Sequence, residues 1–398
     1  MNSRYNIRKK LSHVVFVERG YPRSKGETGG AGTYVKILGS RLVTMGYSVS
    51  VICGNYHGDM KKYSERGIDI YPDFEYHPVS YLIRNIPLLN ICCNLFRYLE
   101  NGWRINHIIE KVNQRNPIDL VEFSEGGDFW SALTKRFPYI SHLHGSAYTF
   151  KKQSGNNISI GDWLQRRAEL FFIYRANKVV SPSIAMLNYV ESEMNNTLNA
   201  DVISYPIPDV AKGMISDIDP IAHNSIKVKL IFASRNDPVK GGELLINSIK
   251  QLPDFVKNKI IVEFYGYRPK SDISELNCLS IKGFVSRDKL NKAYQNADIC
   301  IIPSLFDNSP NTVYEAMAMG KIIIASSVGG IPEIIDDPKN GYLFESNNVQ
   351  DLVNKLTDAI ELVLSGCHKK MSQNARKRIN LYADLQKNVE KRIAIYSK

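Results

Sequence analysis

Short runs of β-branched and other apolar residues recur along the chain, separated by longer stretches in which apolar positions return every three or four residues. HVVFVE, SVSVIC, DLVEF, YISHLHG and KVVSPS precede residue 205, and KLIFAS, KIIVEFYG, ADICIIPS and KIIIASS follow it. Runs that stay apolar on successive residues suit strands covered on both faces. Their alternation with helical stretches predicts βαβ units and parallel sheets. Residues 205–225 break the pattern, carrying Pro206, Pro208 and Pro220 and holding neither period, so a linker is expected there. The fold class is therefore α/β, with two Rossmann-like domains facing across a cleft. An N-terminal domain is placed at 1–207, a C-terminal one at 208–372, and a last helix over 373–398 that could pack back on the N-terminal domain. No fixed-period repeat or low-complexity tract appears.

With 398 residues, 43% of them hydrophobic, the chain is long enough for two packed cores and too apolar for disorder. Its formal charge of +11 suits nucleic acid, anionic lipid or phosphorylated small molecules without choosing among them. None of the six cysteines lies in a metal-ligand spacing, and no disulfide framework is suggested. The N-terminal apolar run VVFV is too brief for a signal-peptide core, and no stretch approaches 18 apolar residues. A cytoplasmic protein is expected, at most peripheral to a membrane.

Two segments carry candidate chemistry. In ADICIIPSLFDNSPNTVYEAMAMGK, DICIIP reads as a buried strand, and ligands of open α/β sheets bind beyond the carboxyl ends of strands. Asp307 stands just past that end. Ser309 is expected to cap the next helix with Pro310 at its first position, leaving the N–H groups of Asn311 and Thr312 without intrahelical partners. Such a helix end favours a phosphate. At about 100° per residue, Asn311, Thr312 and Glu315 share one side, with Val313 and Met317 on the other. A carboxylate there would be repelled by phosphate unless it accepts hydrogen bonds from hydroxyls such as those of a ribose. Asp307 could hold sugar hydroxyls in the same way. A capped helix with one exposed Glu is the plainer alternative. In KLIFASRNDPVKGGELL, a strand ends at Ser234, and the loop brings Arg235 and Lys240 before Gly241 and Gly242 admit a tight helix entry. Two cations there could neutralise a diphosphate, or be solvated loop charges.

FDNSPNTVYEAMAMGK followed by IIIASSVGGIPEII and NGYLF resembles the donor-site signature of glycosyltransferase family 4, the retaining group 1 enzymes with the GT-B fold. ASRNDPVKGGELLINSI and IKGFVSRDKLNKAYQNADICIIPS are similar to the preceding parts of that signature. The resemblance implies that Arg235 and Lys240 bind the donor diphosphate, Glu315 the nucleotide ribose, Asp307 the transferred sugar, and the amides around Asn311 and Thr312 its phosphates. Asp307 stands where the family usually has Glu, and Ser234 where it has Gly. These two departures bear on activity.

In the N-terminal half, Gly30-x-Gly32 lacks the third glycine and the distal acid of a dinucleotide fingerprint, and no Walker lysine follows. The resemblance implies that Gly29 and Gly30 border the acceptor and reach the donor phosphate. His144, at the end of YISHLHG, is by itself as fit for a structural hydrogen bond. The family's pattern implies that it faces the transferred sugar. Glu125 is a further candidate for the acceptor, and equally a loop residue. DIDP at 217–220 has the DxD spacing of metal-dependent transferases of another fold but lies in the linker, so no metal is expected. WLQRRAELFFIYRANK combines Trp163 and Phe171 with Arg166, Arg167, Arg175 and Lys178, and reads either as a core helix or as a face for anionic lipid.

The expected activity is transfer of a sugar from a nucleoside diphosphate sugar, UDP ahead of GDP, to a hydroxyl of a glycan or lipid-linked glycan, with retention and without cofactor or metal. Bacterial surface polysaccharide synthesis at the inner face of the cell membrane is the expected setting. The competing readings are a sugar-nucleotide epimerase of similar fold and a catalytically silent sugar-nucleotide-binding subunit.

Overall fold

The computed structural model of the protein describes residues 12–21, 30–55, 61–74, 77–86, 89, 91–207 and 227–396. Gly29, the Asp217–Asp219 turn and most of the expected linker lie outside the described residues.

Two sheets account for the strands. The first runs in the order β3-β4-β2-β1-β5-β6-β7-β8. Its members are β1 (His13–Val17), β2 (Ser48–Asn55), β3 (Tyr63–Glu65), β4 (Ile68–Phe74), β5 (Leu120–Ser124), β6 (Tyr139–His142), β7 (Lys178–Ser181) and β8 (Ala200–Val202). The second runs β11-β10-β9-β12-β13-β14. It contains β9 (Val228–Ala233), β10 (Ile260–Tyr265), β11 (Leu279–Gly283), β12 (Ile299–Ile302), β13 (Ile322–Ser326) and β14 (Tyr342–Phe344). Every pairing is parallel except β3 with β4. The helices that bear on the site are α1 (Gly30–Thr44), α2 (Pro78–Ile83), α3 (Cys93–Arg115), α4 (Ile160–Arg175), α5 (Ile184–Met194), α6 (Gly242–Gln251), α7 (Arg287–Asn296), α8 (Asn311–Ala318), α9 (Lys369–Tyr382) and α10 (Leu385–Tyr396).

The nine apolar runs all form strands; β3, β4, β8, β11 and β14 were not expected. Four of these are the sheet edges and carry polar or half-exposed residues, such as Tyr63-Ser64-Glu65, and β4, next to an edge, carries Pro72 and Asp73. Edge strands need not be apolar on both faces, so they leave a weaker mark in the sequence.

In each sheet the strand order reverses beside the first strand, β1 lying between β2 and β5 and β9 between β10 and β12. Chain leaving the carboxyl ends there diverges and opens a crevice. The segments after β9 and β12, and α1 after β1, thus gather at two switch points. The halves are stitched together beside them. The Asn308 side chain donates to the Leu143 carbonyl at 3.0 Å and accepts from the Ser183 hydroxyl, and all these groups are buried. The Glu333 carboxylate accepts from the backbone N–H groups of Ile184 and Ala185 at 3.0 and 2.8 Å, sitting on the positive end of α5.

The single terminal helix expected over 373–398 is two helices, α9 and α10, broken at Ala383 and Asp384. At that point Ser204 Oγ donates to the Tyr382 carbonyl and Ile207 N–H to the Ala383 carbonyl, while Asp384 accepts from Lys387 N–H at 2.8 Å. Bonds from outside replace intrahelical ones, and α10 restarts against the first sheet. Asn308→Ala, which leaves the Leu143 carbonyl and Ser183 hydroxyl without their partner, is expected to cost roughly 1–3 kcal/mol. Calorimetry checks this, and an unchanged melting temperature would show that the stitch contributes nothing.

Candidate functional site

The second sheet supplies a charged loop held by close backbone contacts. After β9 the chain makes a short turn through Pro238–Lys240, and Gly241 adopts φ +71°. A Cβ on Gly241 would lie 1.8 Å from the Pro303 carbonyl oxygen, so only glycine allows this approach. Leu305 N–H donates to the Val239 carbonyl at 2.8 Å alongside. The result brings Lys240 to the loop after β12, where its Nζ lies 2.6 Å from Asp307 Oδ2. From the other side Gly329, φ +52°, passes so close that a Cβ would sit 1.9 Å from the Asp307 carbonyl oxygen. Arg235 is exposed at the end of β9, its carbonyl accepting from Ser234 Oγ at 2.6 Å.

Ser309 does not cap α8. The helix begins at Asn311 behind Pro310 with no side-chain cap, and Ser309 Oγ instead meets the Tyr314 hydroxyl at 2.6 Å. A buried phenol needs a hydrogen-bond partner, and Ser309 supplies it. The first turn of α8 therefore lacks both a capping side chain and an acidic residue, which leaves its positive end uncompensated. Gly30, at the start of α1, faces this turn, a Cβ there falling 3.6 Å from Asn311 Nδ2. Two helix N-termini thus converge.

Glu315 is buried on α8, and Val313 and Met317 are fully buried behind it. The exposed-Glu alternative is excluded. Its carboxylate forms an ion pair with Arg287, the first residue of α7. Burial pushes the Glu315 carboxyl above its usual range, and Arg287 opposes that shift. Arg287 was not anticipated, since an arginine opening a helix 28 residues away reads as a solvated charge. Thr33, Tyr205, Asn311 and Glu315 line one narrow recess between α1 and α8.

His144 follows β6 with its Nδ1 on the Tyr205 hydroxyl. Behind it lies a buried network that the sequence did not reveal. The His142 and His144 rings are 3.9 Å apart between centroids. Arg392 of α10 reaches His142 Nε2 at 2.9 Å and Glu122 Oε1 at 3.4 Å. Glu122 also accepts from the Tyr34 hydroxyl at 2.9 Å and from Tyr396. Burial first, then the neighbouring His142 and the Arg392 guanidinium, holds His144 well below the usual histidine range, with Glu122 opposing. Burial and Arg392 do the same for His142. The rings are neutral at neutral pH. β6 ends on His142 and points it into the core.

Two sequence expectations are corrected. Glu125 is an internal ion-pair partner rather than an acceptor contact, bound to Arg166 at 2.9 Å and to Gly145 N–H at 2.8 Å. Arg166, in the segment read either as a core helix or as a face for anionic lipid, is 2% exposed and shared among Glu125, Glu169 and Glu193. Lys178 pairs with Asp201 at 3.0 Å. Arg166 and Lys178 thus serve the interior and its edge, while Arg167, Trp163 and Phe171 of the same helix are exposed.

Lys240, Asp307, Glu315, Asn311, Thr312, Gly30 and His144 therefore lie on facing segments at the two switch points, with Arg235 at their edge. A model of the family described as glycosyl transferases group 1 matches residues 216–378, and one described as glycosyltransferase family 4 matches residues 28–205. The chain belongs to the group 1 glycosyltransferases. An uncharacterized glycosyltransferase of Methanocaldococcus jannaschii is 25% identical over 329 residues, covering 77% of this transferase and 85% of its own length. Sucrose-phosphate synthase from Thermosynechococcus elongatus superposes with a TM-score of 0.72 at 16% identity, over 97% of this chain and 98% of that one. Anabaena HepE in complex with UDP superposes at 0.67 and 15% identity, over 97% and 99%. The transferase has the two-domain GT-B fold that these structures share.

Because the folded state holds His142 and His144 neutral while the unfolded chain protonates near pH 6.5, their contribution to stability is present above that value and is lost as pH falls below it. Melting curves from pH 8 to pH 5 are expected to decline below about pH 6.5, and His142→Asn to decline less steeply. Equal slopes would rule out His142 as a source.

Proposed function

We propose that this glycosyltransferase moves a sugar from a nucleoside diphosphate sugar, a UDP-sugar ahead of a GDP-sugar, to a hydroxyl of a glycan or lipid-linked glycan. The carrying observation is the convergence of the α1 and α8 N-termini on the loop that holds Lys240 and Asp307. Such an arrangement suits a diphosphate on its N–H and ammonium side and sugar hydroxyls on its carboxylate side. That Anabaena HepE, of the same fold, was solved with UDP supports a uridine nucleotide donor.

In this reading Arg235, Lys240 and the first turn of α8, with Gly29 and Gly30 opposite, stabilise charge developing on the departing diphosphate. Glu315, held by Arg287, accepts from the ribose hydroxyls. Asp307 and His144 contact the transferred sugar. Without donor, Lys240 and Asp307 neutralise each other; donor binding exchanges that contact for phosphate on one and hydroxyl on the other. A front-face displacement follows, in which the acceptor oxygen bonds to the anomeric carbon on the side the diphosphate leaves. The leaving phosphate takes the acceptor proton, and configuration is retained. No protein nucleophile and no metal take part. Closure of the two domains excludes water. The setting is the cytoplasmic face of a membrane, in surface glycan assembly; no described helix is long and apolar enough to cross one.

A silent nucleotide-sugar-binding subunit is the second reading, favoured by Asp307 being engaged by Lys240 and by Ser234 at the strand end. Thermal shifts with UDP, GDP and ADP, each in EDTA, test the shared donor site. A ligand at 100 times its dissociation constant adds about 2.7 kcal/mol. A shift with one nucleotide that is lost in Glu315→Ala is expected, and no shift with any of them overturns both readings. Sugar release from the matching donor then separates them. Arg235→Ala and Lys240→Ala are each expected to lower turnover by roughly two orders of magnitude, and normal turnover in both variants would overturn the mechanism.

A further inference from the structure

A cavity of about 790 Å³ lies away from the donor site, between α2 and the first turns of α3 and α4. Its lining includes Tyr81, Arg84, Ile91, Arg97 and Ile160. α2 follows β4, and α4 comes after β6, so this face belongs to the carboxyl edge of the first sheet, the edge that also carries His144. Close packing fixes its floor. Gly161 approaches the Ile91 carbonyl oxygen so tightly that a Cβ would fall 2.1 Å from it, and the Ser159–Asp162 capping box starts α4 there.

Exposed apolar side chains lie on the cavity wall and on the helices that form it. Leu82 is 69% exposed, Tyr81 65%, Ile160 62% and Trp163 51%, with Ile86 and Ile91 also exposed. Single exposed hydrophobics are ordinary, but a contiguous cluster marks an interaction face. The charge at its centre is cationic. Glu100 is occupied by the Val79 and Ser80 N–H groups, and Asp162 by Asn94, Ser159 and Lys151. Arg84 and Arg97 are exposed and pair with no carboxylate among the described residues, Arg84 lying only over the Tyr81 ring at 5.5 Å. Two unpaired guanidinium groups ringed by aliphatic and amphipathic aromatic side chains match the boundary of a bilayer, where phosphates overlie hydrocarbon.

We propose that this face docks on an anionic membrane, with Arg84 and Arg97 taking lipid phosphates in the cavity and Tyr81, Leu82, Ile160 and Trp163 entering the acyl boundary. It deepens the reading of a lipid-linked acceptor by orienting the acceptor edge of the cleft towards the lipid. Its test uses no turnover, so its failure and that of the donor reading are distinguishable.

The experiment is sedimentation of the full chain with vesicles of equal parts phosphatidylglycerol and phosphatidylcholine, and with phosphatidylcholine alone. Wild type is expected to bind the anionic vesicles at least about tenfold more tightly, two arginines near the surface each contributing on the order of fivefold, and less so at high salt. Arg84→Gln with Arg97→Gln should remove that preference. Tyr81→Ser with Leu82→Ser should weaken binding to both vesicle types, while Leu381→Ser, an exposed apolar residue on α9, should not. Melting temperatures near wild type confirm that the variants fold. The proposal is overturned if wild type stays in the supernatant or if the double variants bind as wild type does. It is also overturned if millimolar pyrophosphate abolishes binding at matched ionic strength, which would assign the arginines to a free phosphate. Concentration-dependent dimerisation lost in Tyr81→Ser with Leu82→Ser, without vesicle binding, would assign the face to a second copy of the chain and overturn it as well.

Discussion

The cleft depends on one buried amide. Asn308 spans the two halves with both ends of its side chain, donating to Leu143 and accepting from Ser183. A buried amide left half-satisfied is costly, so the two loops are held at a single separation. Asp307 precedes Asn308 and His144 follows Leu143. These bonds, with the Glu333 contact to α5 beside them, therefore set how far the second sheet's acid stands from the first sheet's histidine.

Four buried carboxylates are paired with cations from distant segments. Asp307 meets Lys240, Glu315 meets Arg287, Glu125 meets Arg166 and Glu122 meets Arg392. Ionised groups withdrawn from water need such compensation. The pairs fall into two kinds. Those of Glu125 and Glu122 are closed and shape the histidine loop from behind, Glu125 through Gly145 N–H and Glu122 through Arg392 and His142. Those of Asp307 and Glu315 border the cleft, where Lys240 and Arg287 keep some exposure and a bound anion can exchange with them. Charge held in this way is preorganised for an anion, so little rearrangement is needed when one binds.

The legibility of the site followed the same division. Central strands are apolar on both faces and announced themselves, and the groups beyond their carboxyl ends could be placed from that: Lys240 after β9, Asp307 after β12 and His144 after β6. Arg287, Arg392, Asn308 and Tyr205 were not legible, because each acts through a partner far along the chain and carries no local pattern. Ser309 misled for a related reason. Its position before a proline and a helix suits a cap, but the buried Tyr314 hydroxyl had the stronger claim on it. Arg166 belonged to a segment read either as a core helix or as a lipid face, and Glu125 and Glu193 from distant segments, with Glu169 one turn along its own helix, drew it inside.

By itself the sequence determined the α/β class, the two sheets and the strand ends at which chemistry gathers, since these rest on short-range periodicity and on residues a few positions apart, while the glycosyltransferase character of its second half came through the resemblance of its motifs to a known family. Only the tertiary structure decided which charges are free and which are spent, where α9 gives way to α10, and that exposed apolar residues of α2 stand beside the first turn of α4. These are questions of which distant groups meet after burial. Desolvation and the demand for hydrogen-bond partners answer them only once the chain has folded.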